Sequence, residues 1–319
     1  MNRPLDRREF VVQSTGALVA SQLLPLAASR AAAEEAELPI IDTHQHLWDL
    51  KRFRLPWIKA DSPLNRTYWT DDYVSATRGH DVEATIYMEV DVDPSQQSDE
   101  VAEVTEICRR GETPMLAAVV SGRPAAEDFS QYLARHKDNK YVRGLRQVLH
   151  GESTPAGYCL DKRFVAGIRA LGDVGWSFDL CMRPAELPDA ARLVDECPGT
   201  RFVLDHCGNA DLAATDHTQW RRDMAEVAKR KNVVGKVSGF IASAPGGKWS
   251  LETLAPIVNH TLEVFGPDRV VFGGDWPVCT LAAPLGEWIS ALKSIVSQRP
   301  IAEQRKLFHD NAEAFYRLV

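Results

Sequence analysis

The sequence predicts a single (β/α)₈ barrel, and three observations predict it. From Leu38 onward, eight short segments rich in Val, Ile and Phe alternate with longer stretches of helical periodicity. Those apolar segments read as near-continuous runs, as parallel strands covered on both faces do. Polar residues gather at the ends of many strands, and no GxGxxG follows the first, which argues against an open doubly wound sheet with one switch point.

The strands are predicted at IIDTHQH (40–46), ATIYMEV (84–90), MLAAVVSG (115–122), VRGLRQVL (142–149), SFDLCM (177–182), RFVLDHC (201–207), VVGKVSG (233–239) and RVVFGGDW (269–276). Helical stretches fall between them: DEVAEVTEICRRG, AEDFSQYLARHK, DKRFVAGIRALGDVG, AELPDAARLVDECPG, WRRDMAEVAKRK and LETLAPIVNHTLEVFG. Several end in Gly, Lys or Arg, as helix C-termini do. LGEWISALKSIVSQ and AEQRKLFHDNAEAFYRL supply the last outer helix and a closing segment, in which His309 reads as structural.

The 319 residues are 45% hydrophobic, 25% charged and 8% aromatic, which is globular composition with a sizeable core. A (β/α)₈ domain takes roughly 250 residues, so residues 38–319 read as one domain. The net charge of −7 is spread along the chain without a basic run, which excludes nucleic acid as the expected partner. Residues 1–33 read as an export signal of the twin-arginine type: Arg7-Arg8, then Glu9 and Phe10, a mildly apolar stretch from Val11 to Ala28, and small residues at Ala31–Ala33. The stretch is too short and polar for a permanent membrane anchor, so a periplasmic location is expected. The six cysteines are scattered without a CxxC pair and indicate neither a disulfide framework nor a thiolate metal site.

In such a barrel the chemistry is built at the C-terminal strand ends. There the sequence places Asp42, His44 and His46; Glu89 and Asp91; Arg143, Arg146 and His150; Asp205 and His206; Lys236 and Ser238; and Asp275 and Trp276. Side chains alternate along a strand, so His44 and His46 share a face and can chelate one divalent ion. His206 and Asp275, at matching strand ends, are the candidates to complete the ligand set. Arg143 falls on the opposite face from Arg146 and reads as structural.

The motifs DTHQHLWD, GLRQVL, FVLDHCG and FGGDWP, in this order, resemble the amidohydrolase superfamily. More narrowly they resemble its amidohydrolase-related branch of sugar and dicarboxylate lactonases, over residues 38–319. The resemblance implies metal ligands at His44, His46 and His206, with the acid/base carboxylate at Asp275. Two-metal members carry a carboxylated lysine where this sequence has Arg146, so one ion, zinc by its N/O ligand set, or none is implied.

The reaction expected is opening of a small-molecule lactone, with Asp275 carrying the proton and His206 at the reacting centre. The carbonyl would be polarised by a mononuclear metal or by histidine and arginine donors. Arg146 is the expected substrate contact, because its planar fork suits a carboxylate or vicinal hydroxyls; His150 is a weaker one. Trp48 and Trp276 are expected to stack on a sugar ring. The loops 52–69 and 247–251 are long or aromatic enough to cover a pocket. Decarboxylation of an aromatic or unsaturated acid and non-catalytic binding by an exported protein are the alternatives. The sequence leaves the oligomeric state open.

Overall fold

A computed structural model describes residues 38–318. The expected export signal lies outside the described residues. Eight parallel strands follow one another in sequence order around a barrel: β1 Ile40–Gln45, β2 Val82–Met88, β3 Met115–Ser121, β4 Val142–Val148, β5 Ser177–Cys181, β6 Arg201–Leu204, β7 Val233–Val237 and β8 Val270–Phe272. Helices α1 Thr70–Ala76, α2 Gln97–Arg110, α3 Phe129–His136, α4 Lys162–Asp173, α5 Leu187–Glu196, α6 Thr218–Ala228, α7 Leu251–Phe265 and α8 Leu285–Val296 each follow a strand. Gly111 ends α2 at φ 65°, the left-handed conformation that glycine adopts without a Cβ penalty.

β1 and β8 close the barrel by individual contacts. The Thr43 hydroxyl donates to the Phe272 carbonyl, and Asp42 accepts from the backbone N–H of Gly274 at 2.7 Å. Past the end of β8, Asp275 N donates to His44 O and His46 N to Trp276 O, both at 2.8 Å.

Ile41, Ile86, Met88, Val119, Val203, Val234 and Val271 pack together as an interior layer, with Ala312 and Tyr316 of the C-terminal segment against it. The larger core lies between strands and helices and includes Phe164, Phe178, Phe202 and Phe272. The C-terminal segment passes through a π-helical turn at Lys306–Asp310, where His309 is buried and bonded to Asp310.

Two strands end earlier than the sequence suggests. β6 stops at Leu204, because His206 and Cys207 take positive φ values of 55° and 51°. β8 spans only Val270–Phe272, and Gly273-Gly274 then pass tightly under β1. A Cβ on Gly273 would lie 2.7 Å from His44 Cβ, and one on Gly274 would lie 2.4 Å from Asp42 Oδ2. Both early endings deliver a functional side chain, His206 and Asp275, from irregular backbone at the barrel mouth.

Candidate active site

A cavity of about 680 Å³ opens at the C-terminal ends of the strands, with His46, Arg146, His206 and Asp275 among its lining residues. Six non-glycine residues among those described have positive φ, and four of them, Asp91, His206, Asn209 and Asp275, line this cavity. Backbone held in sparsely populated regions costs on the order of 1–3 kcal/mol per residue and concentrates where function fixes geometry.

The register of β1 shifts between Asp42 and Gln45. Ile41 can therefore pack in the interior layer while His44, three residues on, also faces inward to meet Arg146 and Lys236. Asp42 turns aside to accept from Tyr73 Oη at 2.7 Å and from His44 N at 3.0 Å, fixing the backbone that carries both histidines.

His46 Nδ1 lies 2.9 Å from the Met88 carbonyl, which can only accept, so Nδ1 carries a proton and Nε2 is the ring atom left to meet a partner. That Nε2 faces Asp275 Oδ1 at 3.2 Å, and His44 Nε2 lies 3.4 Å from the same oxygen. A lone pair and a carboxylate oxygen in contact need a proton or cation between them. His44, His46 and Asp275 thus form one potential metal-binding group; His44, Asp205 and His206 form a second that shares His44. His206 Nδ1 pairs with Ser238 Oγ at 2.9 Å. Burial, reinforced chiefly by Lys236, holds the His44 pKa well below the usual range, and burial likewise lowers that of His206. Both rings are therefore neutral near pH 7, the form a metal ligand requires.

Beneath the histidines lies a buried ionic layer. Arg146 Nε donates to Glu89 Oε1 at 2.6 Å, Nη2 to the Glu89 carbonyl at 2.8 Å, and Nη1 stands 3.2 Å from His44 Nε2. Lys236 Nζ stands 2.7 Å from Asp179 Oδ2, 2.9 Å from Asp205 Oδ1 and 3.3 Å from His44 Nδ1. Burial alone would lower the lysine pKa, but Asp179 and Asp205 overcome it and raise the value, so the ammonium persists. Asp205 is drawn the other way: burial opposes its charge, yet Lys236, His206 and Arg146 hold its pKa down. Neither Asp205 oxygen makes a geometrically good hydrogen bond, so its contacts with Lys236 and Arg146 are ionic.

The structure brings His44, His46, His206, Asp275 and Arg146 together, with His150 at the exposed rim of the same cavity. Trp48 and Trp276 are corrections: they are 0% and 3% exposed and neither lines the cavity. Trp48 packs on Trp57 and Tyr68, and Trp276 on Tyr68 and Tyr73, so neither face is free for a ring. The aromatic residues in the wall are Trp57, from loop 52–69, and Phe240. The 247–251 loop contributes nothing to that wall; residues 239–243 do instead. Arg146 is also corrected in part, since Glu89 engages two of its three nitrogens and leaves it little of the free fork expected for substrate. Arg143 lies apart, half-buried, donating to the Arg317 carbonyl at 3.3 Å. Asp179 was missed by sequence reasoning; a lone carboxylate inside the buried run SFDLC was the available signal that a cation had to face it. All six cysteines are buried and unpaired.

Residues 41–318 match the family model described as Amidohydrolase. The chain belongs to the amidohydrolase family. It is 29% identical over 276 residues to an L-fucono-1,5-lactonase of Burkholderia multivorans, covering 83% of this chain and 91% of that one. It is 23% identical to an L-rhamnono-gamma-lactonase of Scheffersomyces stipitis, covering 88% and 98% of the two chains. The crystal structure of an amidohydrolase from Burkholderia multivorans with bound zinc superposes with a TM-score of 0.80 at 29% identity, covering 88% of this chain and all of that one. Among the described residues of this amidohydrolase, the groups that could hold an ion stand at one end of the barrel, where such folds build their chemistry.

Proposed function

We propose that this amidohydrolase opens a lactone by hydrolysis, with Asp275 as the proton carrier. The observation that carries the reading is the meeting of Asp275 Oδ1 with the Nε2 atoms of His46 and His44, at 3.2 and 3.4 Å, on the cavity floor. The lactonase names of two relatives support the ester class.

The donor set fits a single divalent ion, because ring nitrogens of buried histidines converge on a carboxylate. His44, His46, His206 and Asp275 would hold it, and zinc suits that N/O set. When bound, such an ion supplies Lewis acidity to the ester carbonyl or to water. The chain's own residues do the rest. Asp275 takes the proton from the attacking water as its oxygen bonds to the carbonyl carbon. It returns that proton to the ring oxygen as the acyl C–O bond breaks, leaving a hydroxy acid. His206, braced at Nδ1 by Ser238, would present Nε2 to the ion; without an ion, an Nε2–H would donate to the developing oxyanion. Arg146, clamped by Glu89, keeps a fixed positive charge beside His44 and favours negative charge developing at the floor.

Proton release at constant pH on a panel of lactones tests this. Turnover is expected; no turnover on any of them, together with carbon dioxide release from an aromatic acid, would replace hydrolysis with decarboxylation. The twin-arginine leader read from the sequence would deliver the folded enzyme to the periplasm, which cell fractionation with and without Arg7-Arg8→Lys-Lys tests.

A further inference from the structure

We infer that the lactone accepted here is uncharged and carries an apolar substituent, which sets it apart from both polyhydroxylated and dicarboxylate lactones. The inference rests on the lactonase reading and narrows it. Above the floor, the cavity wall includes Trp57, Val90, Val148, Phe240, Ala242 and Val278, and the hydroxyl and amide side chains among its described lining are those of Ser243 and Asn209 alone. The six apolar residues offer hydrocarbon to a substrate.

The polar groups of the wall are turned on one another. The Val90 carbonyl accepts from Trp57 Nε1 at 2.7 Å, the Gly151 carbonyl from Arg183 at 3.1 Å, and the Phe240 carbonyl from Ser243 Oγ at 2.7 Å. The Asn209 amide donates to the Met182 carbonyl at 2.8 Å. A ring bearing several hydroxyls would exchange water for a surface with few unengaged partners, and burying unpaired hydroxyls is costly.

The charges exclude a carboxylate substituent. Arg146 is the lysine or arginine among the described lining residues; Glu89 engages its Nε and Nη2, and Nη1 stands 3.2 Å from His44 and 3.5 Å from Asp205. The pKa of His150, at the rim, is pushed down to about 4 chiefly by desolvation of its ring, with His206 and Arg146 adding to it, and the ring is neutral at working pH. Asp91 and Asp211 bring carboxylates rather than cations to the lining, the first already paired with Arg123 at 2.7 Å. A cation at the floor would serve the reacting carbonyl, so a second carboxylate would lie along a wall without a counter-charge.

The test compares kcat/KM, each relative to the uncatalysed rate, for δ-nonalactone, D-glucono-1,5-lactone and 2-pyrone-4,6-dicarboxylate. The alkyl lactone is expected to lead by about 10-fold or more, the scale on which a hydrophobic pocket discriminates. Preference for either of the other two would overturn the inference and leave the lactonase reading intact. Failure to open any lactone would overturn the lactonase reading and this inference with it. Val278→Lys, which places a cation on the wall, should shift the ratio toward the dicarboxylate; an unchanged ratio in the folded variant would also count against the inference.

Discussion

Lys236 Nζ lies 2.7 Å from Asp179 Oδ2, with both side chains fully buried, and the same ammonium stands 3.3 Å from His44. The cation is thus held from below by carboxylates and sits against a candidate metal ligand. Removing one member of a buried pair strands the other charge, at about 3–5 kcal/mol. Lys236→Met should therefore lower unfolding stability by that order, read as a lower denaturation midpoint in urea at unchanged slope. Lys236→Met with Asp179→Leu should regain part of the loss, and a double variant no more stable than the single would refute the pairing.

Gly239 lies beside His206 with φ 61°, and a Cβ there would come within 2.0 Å of His206 Nδ1. Gly239→Ala should displace the imidazole from Ser238, and a misplacement near 1 Å can cost about 10²-fold in rate. Steady-state kinetics should show the fall in kcat rather than in KM. A variant with unaltered kcat would remove His206 from the reaction.

These two predictions differ in how far the sequence announced them. The eight strands were legible because buried parallel strands are written as apolar runs, and Asp275, His206 and the His44/His46 pair because they stand at the ends of those runs. The irregular register of β1 and the early end of β8 were not legible: the first belongs to pairing with β2, whose partners lie 42–43 residues on, and the second to contacts more than 200 residues apart in sequence, between Asp42, His44, Gly273 and Gly274. The stacking role given to Trp48 and Trp276 failed for a related reason. An aromatic next to a motif can turn into the core as readily as into the cavity, and Tyr68 and Tyr73 hold these two inside. Partner choice among buried charges, such as Glu89 with Arg146, depends on which strands become neighbours and which residues face across the barrel.

Buried neutral histidines make the fold sensitive to acid. His44 and His206 have folded-state pKa values lowered by burial, so below about pH 6.5 the unfolded chain binds protons that the folded chain refuses. Their contribution is fully present above pH 6.5 and is lost as pH falls toward the depressed values. The melting temperature should drop between pH 6.5 and 5, and the drop should be shallower in His206→Gln. An identical slope in that variant would assign the acid sensitivity elsewhere.

Chelation separates two ways of polarising the carbonyl. With a divalent ion held by His44, His46, His206 and Asp275, chelator treatment should abolish most activity and lower the melting temperature, because an ion that binds only the folded state stabilises it by mass action. Zinc should restore both. Activity and melting temperature untouched by chelator would assign polarisation to His206 and the Arg146–Glu89 pair.

The most direct measurement is the rate of lactone opening by Asp275→Asn relative to the unmodified enzyme, with metal content and melting temperature measured in parallel. General acid–base catalysis contributes about 10²–10⁴-fold, and a loss of that size in kcat is predicted for a folded, metal-loaded variant. Near-normal turnover by that variant would contradict the assignment of Asp275 as the proton carrier.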